Sequence, residues 1–436
     1  MKYISIMILM TVILHANYTE NIQLHYVLDT KYKIMDIENA KNKNTKTEYS
    51  SVELRPRLDL HDKDFGMIFS LEAVMRYTKG IGTIAPQSTP HFYPNFAHQE
   101  NGKSIYLNSM YFGKRFKIGQ IEHEIGIGLP PFLNGWPYEY KEHNIVRGSG
   151  IAPLVQMSSE SIYYCGDYTS LSDYNRIQLI AAVSKTMDII PTNPDFQNDQ
   201  YKDSFGIVLF LQIDNDKHLF KVMYQYDRLK YLNDYKGSPE PADRVWTLGD
   251  TQILGLGYAY DDYDVGVIYY NVFSMSYHKP DSSDSEVLLS NLEAHIDETI
   301  NAGKMPPNIK DEITNGNDSV GWSNLIGIKK EIDLDIIDKT VYIGAEWFTT
   351  SKNWFTKSVD TPTSSIYNLN TKGNVYTLYS GIYLKSNMSI NFSYSRVENK
   401  WVNEIGTVNV GYNIDDSVRN TYQSNDIYTI QFVWDF

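Results

Sequence analysis

Charged and apolar side chains alternate in the segment from residue 52 to residue 60. Glu53, Arg55, Arg57 and Asp59 occupy the odd positions, and the even positions are apolar. Because successive side chains of a β-strand point to opposite faces, the four charged groups share one face of a strand. A face that mixes acids and bases can pair its own charges or present them to a polar solute. The segment therefore predicts a strand with one charged side and one apolar side.

Two more segments carry charges opposite an apolar face, at 66–78 and at 118–128. If the apolar faces lie in lipid, an Arg or Lys among them would cost about 2–4 kcal/mol at the bilayer centre, so the charged faces must point inward. We expect the following residues to line a polar interior: Glu53, Arg55, Arg57, Asp59, Glu72, Arg76, Glu122 and Glu124. They either select permeating solutes as a charged ring or pair with one another and fill the interior.

No catalytic arrangement is visible in the sequence. A nucleophile elbow, an HExxH motif, a Walker loop and a GxGxxG motif are all absent, and the ten His residues have no metal-ligand spacing. The single Cys165 excludes an internal disulfide framework and any CxxC haem or zinc motif. We therefore expect no enzyme, no cofactor and no metal site. The net charge of −14 disfavours nucleic acid as a partner.

The elements that would position these charges are strands with strict alternation. Phe205, Ile207, Leu209 and Leu211, for example, share one parity. The pattern predicts a single all-β domain over residues 17–436, in which hairpins follow one another along the chain. The sixteen predicted strands lie at about 20–34, 50–60, 66–78, 104–113, 118–128, 155–164, 175–184, 205–213, 218–230, 245–260, 263–277, 319–330, 339–350, 373–384, 388–397 and 425–436.

The connections between these strands alternate between long and short without exception. The long ones include 79–103, 129–154, 185–204, 278–318 and 351–372, and the short ones include 61–65, 114–117, 214–217, 261–262 and 385–387. Long loops at one end and tight turns at the other are typical of outer-membrane barrels. Within 398–424, the stretch Ile405–Tyr412 is either a loop hairpin or an extra strand, so the count lies between 14 and 18.

The last strand has a strongly aromatic face, formed by Tyr428, Ile430, Phe432, Trp434 and Phe436. It resembles the closing strand of Gram-negative outer-membrane β-barrels, which end on an aromatic residue, usually Phe. The resemblance implies a transmembrane antiparallel up-and-down barrel, with long loops outside and short turns in the periplasm. It also implies that the barrel assembly machinery reads Tyr428, Phe432, Trp434 and Phe436. An edge strand of a soluble β-protein is the alternative.

The first sixteen residues have the composition of a secretory signal peptide. Lys2 precedes an apolar run from Ile4 to Leu14, and cleavage is expected after Ala16. The apolar run is too short to cross a bilayer as a helix. A mean hydropathy of −0.39 agrees with a barrel, because only every second residue of each strand faces lipid. The 35 Tyr and seven Trp suit the membrane–water interface.

The loop at 129–154 is unusually apolar and aromatic for an exposed loop. In general porins the third outer loop folds into the barrel and narrows the pore, and this loop resembles it in position and composition. Folded inward, it would form a constriction from Trp136, Glu139, Lys141, Glu142, His143 and Arg147. The alternative is a loop that packs over the rim of the barrel.

The loop at 278–318 contains a predicted helix. Leu288, Leu292, Ile296 and Ile300 repeat every four residues, after a capping box and before Gly303. The helix either covers the mouth of the barrel or lies in the lumen as a plug.

Taken together, these patterns predict a porin-like channel in the outer membrane of a Gram-negative bacterium. It would pass small polar solutes or ions by diffusion, in contact with outer-membrane lipid and lipopolysaccharide. The porin resemblance also implies a homotrimer. One alternative is a non-conducting barrel that serves as a scaffold or sleeve for periplasmic or surface partners. Another is a soluble secreted β-propeller, but the chain lacks the repeat of about 40–50 residues that a propeller needs.

Overall fold

The structure of the chain is a computed structural model. It describes residues 22–39, 44–62, 64–81, 102–130, 136–137, 140, 155–156, 161–172, 175–187, 204–232, 245–279, 319–334, 336, 338–351, 353–354, 357–358, 373–400 and 422–435.

Eighteen strands are present in the described part of the chain. They are β1 (Ile22–Asn39), β2 (Asn44–Asp62), β3 (Met67–Ile81), β4 (Gly102–Ile118), β5 (Ile121–Leu129), β6 (Val155–Gln156), β7 (Ser161–Asp167), β8 (Arg176–Met187), β9 (Ser204–Asp214), β10 (His218–Leu232), β11 (Val245–Asp262), β12 (Val267–Lys279), β13 (Ser319–Leu334), β14 (Lys339–Thr350), β15 (Lys357–Ser358), β16 (Gly373–Lys385), β17 (Met388–Asn399) and β18 (Tyr422–Asp435). A short 3-10 helix, Thr169–Leu171, lies between β7 and β8.

Sixteen of these strands form a closed antiparallel barrel. Each pairs with its neighbours in the chain, and β1 pairs with β18 to close the ring. The two-residue strands β6 and β15 pair with each other, in parallel, as a separate sheet that is not part of the barrel wall. The predicted all-β, up-and-down barrel of about sixteen strands is confirmed, and a wall of eighteen is excluded because β17 pairs directly with β18.

Four details of the sequence prediction were wrong. The turn expected at 261–262 lies at 263–266, because β11 pairs with β12 up to Asp262 and Val267. The strand expected from residue 155 begins at Ser161, because 155–156 pairs elsewhere. The turn expected at 114–117 lies at Gly119 and Gln120, since β4 keeps pairing with β5 to its end. The rule of a long connection at every second position fails between β1 and β2, which are longer than predicted and leave only residues 40–43 between them.

The outer face of the barrel is apolar and the inner face holds the buried groups. On β11, Leu254 and Leu256 are 43% and 40% exposed, whereas Ile253 and Ala259 are 1% and 2% exposed. This alternation follows from the two-residue period of a strand. Large exposed apolar side chains recur on strands around the whole ring, so the outer surface is a continuous apolar band. Within the described residues, no helix is long and apolar enough to cross a membrane.

Two of the short turns share the pattern Asp-x-Asp-x-Gly, at 62–66 and at 262–266. Their glycines, Gly66 and Gly266, have φ of 64° and 62°, a left-handed conformation that a side chain disfavours. Each glycine carbonyl accepts a backbone N–H from the next strand but one, as in the 2.7 Å bond from Arg115 to Gly66. Each turn therefore connects two strands covalently and also forms a backbone hydrogen bond with a third strand, β4 for the turn at 62–66 and β13 for the turn at 262–266.

Tyrosine rings cover glycines across neighbouring strands on the inner face. The direct cross-strand pairs are Tyr163 with Gly126, Tyr270 with Gly327, Tyr379 with Gly344, and Tyr342 with Gly381. A Cβ on any of these glycines would overlap the tyrosine ring. Because glycine leaves the backbone uncovered, the ring can lie flat along the wall instead of pointing into the lumen.

Several predicted features lie outside the described residues. They are the signal peptide at 1–16, the helix within 278–318, the stretch Ile405–Tyr412 and the last residue, Phe436.

Candidate functional site

The inner face of β1, β2 and β3 carries a network of buried charges. Asp29 accepts hydrogen bonds of 3.0 and 3.1 Å from the amide of Gln431, and its carboxylate lies 3.9 Å from Arg55 and 4.0 Å from Lys31. Arg55 also donates to Glu53. The network crosses the closing seam, since Gln431 belongs to β18 and Asp29 to β1. In this network, two carboxylates (Asp29 and Glu53) lie close to two basic groups (Lys31 and Arg55).

A second set of charges lies nearer the short turns and is more accessible. Arg57 pairs with Asp59 at 2.8 Å, and Arg115 pairs with Glu124 at 2.8 Å. The hydroxyl of Tyr163 donates to the other oxygen of Glu124 at 2.6 Å. The side chain of Arg57 is 25% exposed and that of Arg115 is 47% exposed, so a solute in the lumen could reach both guanidinium groups.

The eight residues expected to line the interior fall into three groups. Glu53, Arg55, Asp59 and Glu72 lie on the inner face and are buried. Arg57, Glu122 and Glu124 lie on the same face and are at least partly accessible. Arg76 is the cross-strand partner of Glu53, but its side chain is outside the described set. Arg57 on β2 lies directly opposite Glu72 on β3.

Buried charges on the opposite side of the barrel are surrounded by aromatic rings. Lys329 donates to the hydroxyl of Tyr383 at 2.7 Å, lies 4.5 Å from the ring centroid of Tyr342 and pairs with Glu331 at 2.8 Å. A cation over a ring face is attracted by the negative π-cloud, more strongly when water is excluded. This arrangement holds a lysine inside the wall with one acid and two rings.

Tyr270 supplies the equivalent contact for an acid. Its hydroxyl donates to Glu346 at 2.6 Å and lies 3.3 Å from the hydroxyl of Tyr379. Charge-assisted hydrogen bonds of this kind are stronger than neutral ones. The ring therefore fills the space above Gly327 and satisfies a buried carboxylate at the same time.

The loop after β5 reaches the inner wall through Trp136. Trp136 is fully buried, and a Cβ on Gly257 of β11 would overlap its ring. The ammonium of Lys221, the cross-strand partner of Gly257, lies 5.4 Å from the centroid of the Trp136 ring. Tyr140 stacks on Tyr270 of β12, with ring centroids 5.3 Å apart. Two described residues of this loop thus lie inside the barrel, against strands far from β5.

The other residues expected at the constriction lie outside the described part of the chain. They are Glu139, Lys141, Glu142, His143 and Arg147. Of the expected assembly signal, Tyr428 is exposed on the outer face, and Phe432 and Trp434 share its face of β18. No group of three or more residues able to hold a metal ion occurs among the described residues.

The sequence interpretation missed Asp29, Lys31, Lys221 and Lys329. The first two had a usable signal, because Asp29, Lys31 and Lys33 alternate with Leu28, Thr30 and Tyr32 just as the charges of β2 alternate. Lys221 shares its strand face with Gln225 and Asp227, and Lys329 shares its face with Glu331 and Asp333, so the same alternation marked these two lysines as well.

Several solved porins are similar to this chain at low sequence identity. OprB of Pseudomonas putida is 9% identical, with a TM-score of 0.49 over 96% of this chain and 94% of that chain. OmpF of Salmonella typhi, solved with daunomycin, is 10% identical, with a TM-score of 0.45 over 95% and 98% of the two chains. An anion-selective porin from Comamonas acidovorans is 9% identical, with a TM-score of 0.45 over 95% and 99%. Because these TM-scores are below 0.5, the fold rests on the strand pairing described above.

No curated protein is significantly similar to the chain in sequence. A family profile, described as "Protein of unknown function (DUF3373)", matches residues 169–431, from the turn after β7 into β18. This match covers more than half of the chain. The chain therefore belongs to the DUF3373 family.

Proposed function

We propose that this protein is an outer-membrane porin through which small polar solutes or ions diffuse passively. The observation that carries the proposal is a closed barrel of sixteen strands with an apolar outer face and charged groups on its inner face. Barrels of eight strands are filled by their own side chains, whereas about 16–18 strands leave an aqueous channel. No catalytic role is part of the proposal.

The apolar band supports a location in the outer membrane of a Gram-negative bacterium. Exposed apolar patches of this extent need a cover, and lipid covers all sides of a barrel equally. The expected signal peptide would export the chain, and the aromatic face of β18 with Phe436 would direct its assembly. Outer-membrane phospholipid and lipopolysaccharide are the partners that this location supplies. The porin resemblance further supports a homotrimer, which light scattering of the unheated protein in detergent would measure.

Both signs of charge on the accessible inner wall support passage of polar solutes in general. Arg57 and Arg115 lie on the same stretch of wall as Glu122 and Glu124. We propose that these four groups contact solutes near the short-turn end, and that the loop carrying Trp136 narrows the lumen. The remaining charged residues of that loop, Glu139 to Arg147, would then lie along the narrow part.

A second candidate is a non-conducting barrel that serves as a scaffold or sleeve. It is favoured by the burial of Glu53, Glu72 and Asp29, each of which is only 1% exposed although it faces inward. At the level of these residues the wall is covered and does not border open water. The two candidates differ in whether a continuous aqueous path remains elsewhere in the cross-section.

Single-channel conductance in a planar bilayer separates them. The protein would be refolded from Asn17 onward, and its folding checked by the change in gel mobility on heating. Stable conductance steps are expected, and the reversal potential in a salt gradient would give the ion preference. Inserted, heat-modifiable protein that never conducts would contradict the porin proposal and favour the scaffold.

A further inference from the structure

The two short strands β6 and β15 come from opposite sides of the barrel. β6 lies in the connection from β5 to β7, and β15 lies in the connection from β14 to β16. Counted around the ring, eight strands separate these two connections in either direction. They nevertheless pair, with Val155 opposite Lys357 and Gln156 opposite Ser358. Two segments rooted half a circumference apart can meet only across the lumen or its opening.

The first connection is fixed to the wall at depth. Trp136 sits on Gly257, which is five residues from the short-turn end of β11 at Asp262. Lys221 and Tyr270 hold the rings of Trp136 and Tyr140 from β10 and β12. Because β10, β11 and β12 are several strands away from β5 and β7, this connection already crosses part of the lumen before it reaches β6.

The second connection is fixed at the long-loop end. Ser351 continues the pairing of β14 with β13 through two hydrogen bonds to the backbone of Trp322, of 2.9 and 2.8 Å. The chain then turns inward, because a Cβ on the inward-facing Gly321 would overlap the backbone of Asn353 and Trp354. The Trp354 side chain is buried in the same inner cluster as Trp136.

We propose that the described residues of these two connections, at 136–137, 140, 155–156, 353–354 and 357–358, belong to one bridge across the barrel, and that the bridge sets the narrowest cross-section of the channel. A loop with few contacts opens locally at little free-energy cost, whereas a segment held at several points opens only when several contacts break together. Here the contacts are Trp136 on Gly257, Tyr140 on Tyr270, 353–354 on Gly321, and the β6–β15 pair. Trp136 and Gly257 are positioning residues, because they place the bridge without themselves forming the strand pair. The second half of the proposal rests on the porin function, and the first half does not.

Disulfide cross-linking tests whether the bridge exists. Val155→Cys and Lys357→Cys would be combined in a Cys165→Ser background, in full-length protein folded in lipid. Mild oxidation is expected to join the two cysteines, seen as a linked peptide by mass spectrometry, because paired strands bring their Cα atoms within disulfide reach. The matched control is Val155→Cys with Lys385→Cys, since Lys385 lies at the short-turn end of β16. Failure of the 155–357 pair to join in folded, heat-modifiable protein would overturn the bridge.

Conductance tests whether the bridge sets the aperture. Trp136→Ala removes the anchor from the loop, and Gly257→Val removes its place on the wall without changing the loop. Each is expected to raise the single-channel conductance roughly twofold or more, with noisier open levels. Trp136→Phe, which keeps a ring, is expected to stay near wild type. Trp347→Ala is the control, because Trp347 is an exposed tryptophan on the outer face of β14.

The outcomes separate the bridge from the porin function. Unchanged conductance in both Trp136→Ala and Gly257→Val would overturn the aperture role, even if the cysteines join. A silent wild type with a conducting Trp136→Ala variant would contradict an open porin and support the bridge as the closing element. If neither the wild type nor the Trp136→Ala variant conducts, and the two cysteines still join, the aperture role and the porin function are both overturned. The bridge would then have a structural role alone.

Discussion

On the inner face of β1 to β3, buried charges contact opposite charges, whereas on β12 to β16 they are surrounded by aromatic rings and tyrosine hydroxyls, even where an ion pair is present, as between Lys329 and Glu331. We call the first region the charged arc and the second the aromatic arc. In the charged arc, Arg55 donates a hydrogen bond to Glu53 and forms an ion pair with Asp29. In the aromatic arc, the hydroxyl of Tyr270 donates a hydrogen bond to Glu346, and the ring of Tyr270 covers Gly327. Both regions bury ionised groups, but they depend on different side chains to do so.

The difference predicts different weaknesses. A buried ion pair gains about as much as its desolvation costs, so its loss matters mainly because the remaining partner is left as an uncompensated charge. The charged arc should therefore fail when one partner is removed. A ring seated on a glycine depends on space, and close-packed interiors respond strongly to added volume. The aromatic arc should therefore fail when a methyl group is added beneath a ring.

Removing Arg55 should have the largest effect. Arg55→Met leaves Glu53 and Asp29 with one base fewer in a buried site, and should lower the free energy of unfolding by about 3–5 kcal/mol. Urea unfolding of the protein in lipid vesicles, followed by tryptophan fluorescence, would measure it. The double variant Glu53→Met, Arg55→Met removes both members of one pair and should regain most of the loss. A double variant as unstable as the single one would show that the charges are not paired as described.

The sequence predicts the features of the two arcs that arise within one strand, but not the contacts between residues of different strands. The inward direction of Glu53, Arg55 and Arg57 followed from alternation alone, because the two-residue period is a property of the backbone. The contact of Arg55 with Glu53 is local, but its contact with Asp29 did not follow, because it depends on the register in which β1 and β2 pair. Other contacts also require closure of the ring. Gln431, for example, lies 402 residues from Asp29 and meets it only when β18 pairs with β1.

The aromatic arc was less predictable for the same reason. Tyr270 and Gly327 are ordinary strand residues until β12 and β13 pair in the right register. Trp136 was expected to fold inward from the composition of its loop, but no local pattern selected Gly257 as its seat. The sequence pattern predicts 155–156 as the start of a longer strand and 357–358 as part of a long loop, because a two-residue strand has no periodicity of its own.

The link between the arcs gives the second prediction. The side-chain amide N–H of Gln431 donates to Asp29, and the side-chain carbonyl of Gln431 accepts a 3.3 Å hydrogen bond from the amide of Asn391. The side-chain carbonyl of Asn391 in turn accepts from the hydroxyl of Tyr342. Gln431→Leu removes two hydrogen bonds from a buried carboxylate and should cost about 1–3 kcal/mol. Gln431→Glu should cost more, because it places a second acid beside Asp29. The same urea assay applies, and equal stability of all three proteins would contradict a role for this link.

Adding one methyl group in the aromatic arc should have an effect of similar or smaller size. Gly327→Ala places a Cβ inside the ring of Tyr270, and overpacking of this kind typically costs about 1–3 kcal/mol. Gly327→Ala combined with Tyr270→Leu should lose less than the sum of the two single variants, because the smaller side chain makes room. Strict additivity in the urea assay would mean that the ring does not rest on the glycine.

The smallest prediction compares two buried serines that differ in their partners. Ser395, on β17, shares a 2.9 Å hydrogen bond with Thr377, whereas the hydroxyl of Ser323, on β13, has no partner among the described residues. Both side chains are buried on the inner face, so Ser→Ala removes the same atom from similar surroundings. Ser395→Ala should cost about 1 kcal/mol, while Ser323→Ala should lie within about 0.5 kcal/mol of wild type. If Ser323→Ala destabilises the protein as much as Ser395→Ala, the Ser323 hydroxyl forms a hydrogen bond with a group outside the described residues. The polar groups on the inner face of β13 then have more hydrogen-bond partners than the described residues supply.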